Sequence, residues 1–254
     1  MLDLIKMLMI SGPPSSGPVG ALASFLYEPH AKLPGYVAKL RQFADGKLTL
    51  TAKEQGDLLE QVAALCFRGL RDAPLPLSIA VPDAQLDVLQ MGDTRAGWMG
   101  LAWLLGFPPG RRNIVAECKC YGPTARSVAK GRPKGDGVPQ REYARLGGLM
   151  QTSLSDAVGL GVMFSLWGGT GAGPQAPSES RLFRIKYHAR HDVPIVDVTL
   201  KDVEEHCLTN GGFVELLFAK ISELTVLSTM ELIDPGKTPT IERTLPKHLA
   251  EVLL

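Results

Sequence analysis

Residues 113–121 read Asn113-Ile-Val-Ala-Glu-Cys-Lys-Cys-Tyr121. The β-branched and apolar residues at the start of this stretch are typical of a buried β-strand. Successive side chains of a strand point to opposite faces, so Val115, Glu117 and Lys119 share one face. The opposite face holds small apolar side chains that suit packing under a helix, namely Ile114, Ala116, Cys118 and Cys120. The pattern therefore predicts a core strand with a carboxylate and an ammonium group near one end of one face.

These two charges need an explanation, because burying a charge is costly unless it is paired or bound to a metal. One explanation is a structural ion pair between Glu117 and Lys119 at the edge of a sheet. The other needs a second acid nearby. Asp87 supplies one, since it lies between Leu86 and Val88 in the preceding strand candidate. If these two strands pair antiparallel, Asp87 and Glu117 can face the same cleft.

Two converging carboxylates form an oxygen-rich pocket that suits a hard divalent cation such as Mg²⁺, which keeps several waters and binds substrate phosphate oxygens. Such a cation lowers the pKa of bound water and neutralises charge that grows on a phosphoryl centre. Lys119 would orient the attacking water or stabilise the developing charge. The residues therefore favour metal-dependent chemistry on a phosphate ester, with Asp87 and Glu117 as the metal ligands.

The surrounding pattern predicts an α/β fold. Thr51 and Glu54 have the spacing of a capping box, and the helix that they begin should run from about Ala52 to Gly69. Strands are predicted at residues 77–81, 85–90, 113–121, 158–167, 182–188 and 193–200. Helices are predicted at about residues 140–156 and 212–224, with a helical turn at 98–105. The order implies a mixed β-sheet flanked by helices on both faces.

With these elements in place, the chain resembles the PD-(D/E)xK nuclease superfamily, which includes many restriction endonucleases. The signature of that superfamily is an Asp, a variable gap and Glu-x-Lys on the next strand. Here Asp87 precedes Glu117-Cys-Lys119 by 117 − 87 = 30 residues. The resemblance covers roughly residues 52–200, and it implies a restriction-endonuclease-like mixed β-sheet core flanked by α-helices.

Two further acids come into question once the resemblance is considered. The literal Pro-Asp pair is Pro82-Asp83, which gives a gap of 117 − 83 = 34 residues. Asp83 precedes the strand, where Asp favours turns, so Asp87 is the preferred ligand and Asp83 the alternative. The segment Gly56-Asp-Leu-Leu-Glu60 is similar to the first helix of Mrr-like and related nucleases, in which a Glu assists the metal site. The resemblance therefore implies a metal-binding and catalytic role for Glu60.

The resemblance implies a Mg²⁺-dependent endodeoxyribonuclease of a restriction or defence system, with Mn²⁺ as a possible substitute. Asp87, Glu117, Lys119 and Glu60 would form its active site. Because members of the superfamily often dimerise to cut two strands, a homodimer is expected. Two alternatives stay open: a catalytically inactive scaffold that binds DNA or a protein, and a structure-specific nuclease that resolves DNA junctions.

A basic, Gly- and Pro-rich stretch follows the strand. Its five cationic residues extend into the next helix: Arg126, Lys130, Arg132, Lys134 and Arg141. A solvated loop would also carry such charges, but beside a nuclease centre they suit contacts with DNA phosphates. The net charge of the chain is only +1, so a DNA-binding surface has to come from local clustering of this kind.

The chain of 254 residues, 45% of them hydrophobic, is long enough for one large α/β domain. Residues 1–50 are expected to be an N-terminal lead-in or appendage, and residues 51–254 the nuclease domain with a C-terminal helical extension. The four cysteines lack the spacing of a zinc site. No apolar run is long enough for a membrane span, and no signal peptide is recognised. We therefore expect a soluble, cytoplasmic protein.

Overall fold

The structure is a computed structural model and describes residues 18–81, 84–131, 134–152, 157–169 and 178–233. Within these ranges the strands form one five-stranded sheet in the order β1-β2-β3-β4-β5. The strands are β1 (Leu77–Val81), β2 (Ala84–Gln90), β3 (Asn113–Lys119), β4 (Val158–Ser165) and β5 (Ile195–Thr199). The first three strands pair antiparallel, whereas β3, β4 and β5 pair parallel. The predicted mixed sheet is therefore confirmed.

Helices cover both faces of this sheet, as predicted. In chain order they are α1 (Pro18–Leu26), α2 (Leu33–Ala44), α3 (Ala52–Arg68), α4 (Ala96–Leu104), α5 (Ala125–Ala129), α6 (Gln140–Thr152), α7 (Glu179–His191), α8 (Leu200–Asp202) and α9 (Gly212–Ile233). A π-helical turn, Val203–Cys207, follows α8 directly. One face of the sheet packs against α1, α2, α3, α4 and α9, and the other packs against α6 and α7.

Strand β3 lies in the middle of the sheet and is buried along most of its length. Its side chains alternate as predicted. Ile114, Ala116 and Cys118 belong to the core under α3, and Val115 belongs to the core under α6 and α7. Burial of a side chain the size of Ile114 or Val115 stabilises the fold by about 1.5–3 kcal/mol relative to leaving it exposed. The same alternation brings the charged residues of β3 to the α6 face.

Helix α3 begins where the sequence predicts. The Thr51 side chain accepts a hydrogen bond from the backbone amide of Glu54, and the Glu54 carboxylate accepts one from the amide of Thr51, at 2.8 Å. Its buried face lies against β2, β3 and β4. The helix ends at Gly69, where a Cβ atom would lie 2.4 Å from the Tyr27 ring, so a larger residue would not fit there.

The strand predicted at residues 182–188 is wrong, because these residues lie in α7. The Ser178 side chain caps this helix by accepting a hydrogen bond from the amide of Arg181 at 3.1 Å. Residues that are two positions apart in a helix differ in direction by about 200° around its axis, so Ile185 and Tyr187 point in nearly opposite directions. Ile185 packs on α9 and Tyr187 packs on the core under α6, so a helix buried on two sides imitates the alternation of a strand.

Part of the stretch treated as an N-terminal lead-in is helical. Leu33, Val37 and Leu40 of α2 are buried in the same core as α3. The predicted helical turn after β2 is also present, as α4. In the part of the chain that the structure describes, none of the helices combines the length and the hydrophobicity that crossing a membrane requires.

Candidate active site

The pairing of β2 with β3 places two carboxylates next to each other. Val88 pairs with Ala116 and Leu89 with Val115, in antiparallel register. The ladder ends at the pair Val88–Ala116, and Asp87 and Glu117 are the next residues of the two strands. The charge of Asp87 contributes to the raised pKa of Glu117, so the two carboxylates lie close to each other. The two acids that the sequence singles out therefore meet at the end of the β2–β3 ladder.

An irregularity in β2 directs the Asp87 side chain. Leu77 of β1 pairs with Leu89, but Ile79 pairs with Leu86, so β2 contains one extra residue between these pairs. Such a β-bulge changes the direction of a side chain and is frequent next to active sites. Here one carboxylate oxygen of Asp87 accepts a hydrogen bond of 2.7 Å from the backbone amide of Cys118. This bond fixes Asp87 against β3.

Glu117 is the most buried of the candidate residues, with 2% of its side chain exposed. Its Oε2 atom lies 3.2 Å from Nζ of Lys119, and its Oε1 atom lies 3.7 Å from Nη2 of Arg145. Within the described part of the chain, Oε1 accepts no hydrogen bond. A buried carboxylate oxygen without a donor is costly, and it is available as a ligand for a cation.

The electrostatic balance of the site is negative. Burial, and then the charge of Asp87, raises the pKa of Glu117, although Lys119 and Arg145 partly offset this. Burial also raises the pKa of Asp87, against the hydrogen bond from Cys118 and the charge of Lys119. Carboxylic acids become harder to ionise where burial and neighbouring acids outweigh the local cations. The cations near the two acids therefore do not fully offset the cost of burying them.

Lys119 stays protonated. Burial alone would lower the pKa of Lys119, but the charges of Glu117 and Glu142 outweigh this effect and raise it. Its Nζ atom lies 3.6 Å from Oε2 of Glu142, and 22% of its side chain is exposed. Lys119 can therefore donate hydrogen bonds and stabilise negative charge, but it is poorly suited to accept a proton.

Glu60 reaches the site from the other side of the sheet. It lies on α3, which covers the face of Cys118, and it lines a cavity of about 390 Å³ together with Asp87, Arg68 and Ser78. Burial, and then the charges of Asp87 and Asp57, raises the pKa of Glu60. Glu60 is thus an electrostatic neighbour of Asp87, across the edge of the sheet from Glu117.

Two residues of the site were missed by the sequence analysis, Glu142 and Arg145 of α6. Glu142 contacts Lys119, and Arg145 contacts Glu117. Residues three apart share one face of a helix, and the helix that joins two parallel strands starts beyond the end of the first strand. This spacing after β3 is the signal that could have identified them. Without the fold, however, they resemble ordinary surface charges.

The remaining predicted residues lie after β3 or outside the described ranges. Asp83 and Arg132 lie outside the described residues. Arg126, Lys130 and Lys134 are exposed in the segment between β3 and α6, and Arg141 is 82% exposed at the start of α6. This segment is folded, since the amide of Thr124 donates a 3.1 Å hydrogen bond to the carbonyl of Lys134. Three of the predicted cations therefore lie in the described parts of the segment that follows the strand of Glu117 and Lys119.

In the described part of the chain, no group of three or more His, Cys, Asp or Glu residues forms a complete metal site. The pair Asp87 and Glu117 still fits Mg²⁺, because this ion usually binds through one or two carboxylates and takes its other ligands from water and substrate phosphates. No family model, curated protein or solved structure matches the chain. Its functional interpretation therefore rests on the geometry around Glu117.

Proposed function

We propose that this protein is a Mg²⁺-dependent deoxyribonuclease that hydrolyses the phosphodiester bonds of DNA. Its active site would consist of Asp87, Glu117 and Lys119. The observation that carries the proposal is the buried Glu117 carboxylate, which lies near Asp87 and, in the described part of the chain, has an oxygen without a hydrogen-bond donor. The sequence of α3, β1 to β3, α6 and β4 supports a restriction-endonuclease-like core around it. A restriction or defence endonuclease that acts as a homodimer on DNA is the form of this function that we propose.

The charges around Glu117 favour this function over a structural ion pair. A structural pair would match one acid with one cation. Here burial raises the pKa of Glu60, Asp87 and Glu117, and neighbouring acids raise it further for Glu60 and Glu117, although Lys119 is close to all three. A divalent cation would supply the missing positive charge, and the substrate phosphate would then find a site that is no longer negative.

Each residue of the site has a part in the reaction. Asp87 and Glu117 would hold Mg²⁺, which when bound withdraws charge from the phosphate and makes water a better nucleophile. Lys119, held by Glu142, donates hydrogen bonds to the attacking water or to the phosphate oxygens. The oxygen of water forms a bond with phosphorus while the bond from phosphorus to the leaving oxygen breaks. The attacking water gives a proton to the solvent and the leaving oxygen takes one from the solvent, so no covalent intermediate with the protein is required.

Incubation of the purified protein with plasmid, linear and branched DNA tests the proposal, each with Mg²⁺ and with EDTA. We expect cleavage that needs Mg²⁺ and is lost in Lys119→Ala. A strong preference for branched over linear DNA would identify a junction-resolving enzyme. If no DNA is cut with Mg²⁺ or Mn²⁺, the chain is a scaffold with a nuclease-like site and the proposal fails.

A further inference from the structure

A second cavity lies between α6 and α7. It measures about 540 Å³ and is lined on the α6 side by Gln140, Ala144, Gly147, Gly148 and Gln151. Gln140, Gly147 and Gln151 project away from Glu142, because each residue of a helix turns by about 100°, whereas Gly148 lies about 60° from Arg145. None of the residues that line the groove belongs to the candidate active site. The groove is therefore separate from the candidate active site, although the same helix forms a wall of both.

Three rings line the α7 side of this groove. Phe183, Tyr187 and His191 follow one another at intervals of four residues. The Phe183 and Tyr187 ring centroids are 5.8 Å apart, and those of Tyr187 and His191 are 4.7 Å apart. Tyr187 is fixed by a 3.1 Å hydrogen bond to the carbonyl of Gly147, while Phe183 is partly exposed. The rings form an aromatic wall in which Tyr187 is buried and both Phe183 and His191 are partly exposed.

The opposite wall leaves space in front of these rings. A Cβ atom on Gly147 would lie 2.7 Å from the Tyr187 ring, so glycine is required for α6 and α7 to come this close. A Cβ atom on the neighbouring Gly148 would meet nothing within 4 Å. Glycine in the middle of a helix costs about 1 kcal/mol relative to alanine. Close packing does not require a glycine at position 148, since a side chain would fit there. The absence of a side chain at Gly148 keeps the groove open.

The groove is also positively charged. Lys186 and Arg190 line it, and the charge of Arg111 acts on both Tyr187 and His191. Lys186 has one distant acidic partner, Glu231, at 3.9 Å. Among the residues that line the groove, Glu179 is the one acid. A ligand with planar rings and negative charge would complement this surface.

We propose that the groove between α6 and α7 binds a single-stranded segment of nucleic acid. A base packs against Phe183, and the phosphates contact Lys186 and Arg190. Aromatic side chains with adjacent cations are how proteins bind single strands without reading their sequence. The proposal rests on the proposed nuclease function and deepens it, because α6 carries Glu142 and Arg145 of the candidate active site and also forms one wall of the groove.

Fluorescence anisotropy with a labelled oligothymidine, measured in EDTA, tests the groove without cleavage. We expect the parent to bind and Gly148→Leu, which fills the groove, to raise the Kd about tenfold. Gly35→Leu is the matched control, because it places the same side chain in open space on α2, and it should bind like the parent. Circular dichroism establishes that both variants fold.

A second variant tests the charges. In Lys186→Ala/Arg190→Ala we expect weaker binding with a smaller salt dependence, while Lys201→Ala on the exposed surface changes neither. A Kd that is unchanged in Gly148→Leu or in the double variant overturns the proposal, as does a parent that does not bind. Because no metal is present, these outcomes are independent of whether the protein cuts DNA with Mg²⁺.

Discussion

At the scale of single residues, the site consists of acids whose neighbours do not fully compensate them. Asp87 has two separable roles, because its carboxylate accepts the hydrogen bond from Cys118 and its charge acts on Glu117. An asparagine keeps the oxygen that accepts this bond but loses the charge. The two roles can therefore be tested by one substitution.

We predict that Asp87→Asn abolishes Mg²⁺-dependent cleavage and changes the free energy of unfolding by less than about 1 kcal/mol, since the hydrogen bond to the amide is retained. Urea denaturation and a plasmid assay measure the two effects. Asp83→Asn is the companion variant and should keep most of the activity. If Asp83→Asn is inactive and Asp87→Asn is active, the metal ligand has been assigned to the wrong acid.

Glu142 affects the site through Lys119, because its carboxylate lies 3.6 Å from the ammonium nitrogen of Lys119. We predict that Glu142→Gln lowers kcat about tenfold, an effect of about 1.4 kcal/mol on the barrier, and leaves Mn²⁺ affinity nearly unchanged. Glu205→Gln, at an exposed pair with Lys201, is the control. A parental kcat in Glu142→Gln would show that Lys119 does not need this partner.

At the scale of elements, the predictions from sequence succeeded where the signal is local. The capping box of Thr51 and Glu54 fixed the start of α3, and the alternation in residues 113–119 identified β3 and its two faces. They failed for α7, because its burial on two sides gives a period close to that of a strand. Contacts between distant elements, such as that of Arg145 with Glu117, have no local signal.

The turn that follows β5 depends on Asp202. Its carboxylate accepts a 2.7 Å hydrogen bond from the amide of Thr199 and lies 3.0 Å from Nζ of Lys220 on α9. Burial alone would raise the pKa of Asp202, but Lys220 and the bonds from Thr199 outweigh it and lower the pKa. A lowered pKa means that the ionised form stabilises the native state above the pKa of the unfolded chain, near 3.9.

We therefore predict that Asp202→Asn destabilises the fold by about 2 kcal/mol at pH 7, the value of hydrogen bonds to a charged group. The difference from the parent should disappear as the pH falls through the native pKa of Asp202, where the parent also loses the charge. Denaturant titrations at several pH values measure this. A difference that stays constant down to acid pH would assign the effect to shape instead of charge.

At the scale of the whole molecule, the near-neutral chain separates its charges. The acids gather at the end of β2 and β3, while Arg126, Lys130 and Lys134 lie exposed on the loop that follows. In the described part of the chain, none of these three forms an ion pair, so they are available for phosphates. This distribution gives DNA a place to bind although the net charge is only +1.

We predict that neutralising Arg126, Lys130 and Lys134 together weakens binding to DNA of any sequence. The slope of log K against log salt should become shallower by about 0.9 for each phosphate contact that is lost. Anisotropy titrations over a range of salt concentrations, in EDTA, give this slope. An unchanged slope would show that the loop is a solvated surface and that DNA binds elsewhere.

The proposed function depends on a metal site formed by Glu117 and Asp87. Titration calorimetry with Mn²⁺ tests it most directly, on the parent, Glu117→Gln and the surface control Glu205→Gln. We predict that the parent and Glu205→Gln bind Mn²⁺ alike, whereas Glu117→Gln loses at least tenfold in affinity while it stays folded. Equal affinity in all three proteins would contradict the account, because the buried carboxylate would then be no more than the partner of Lys119 and Arg145.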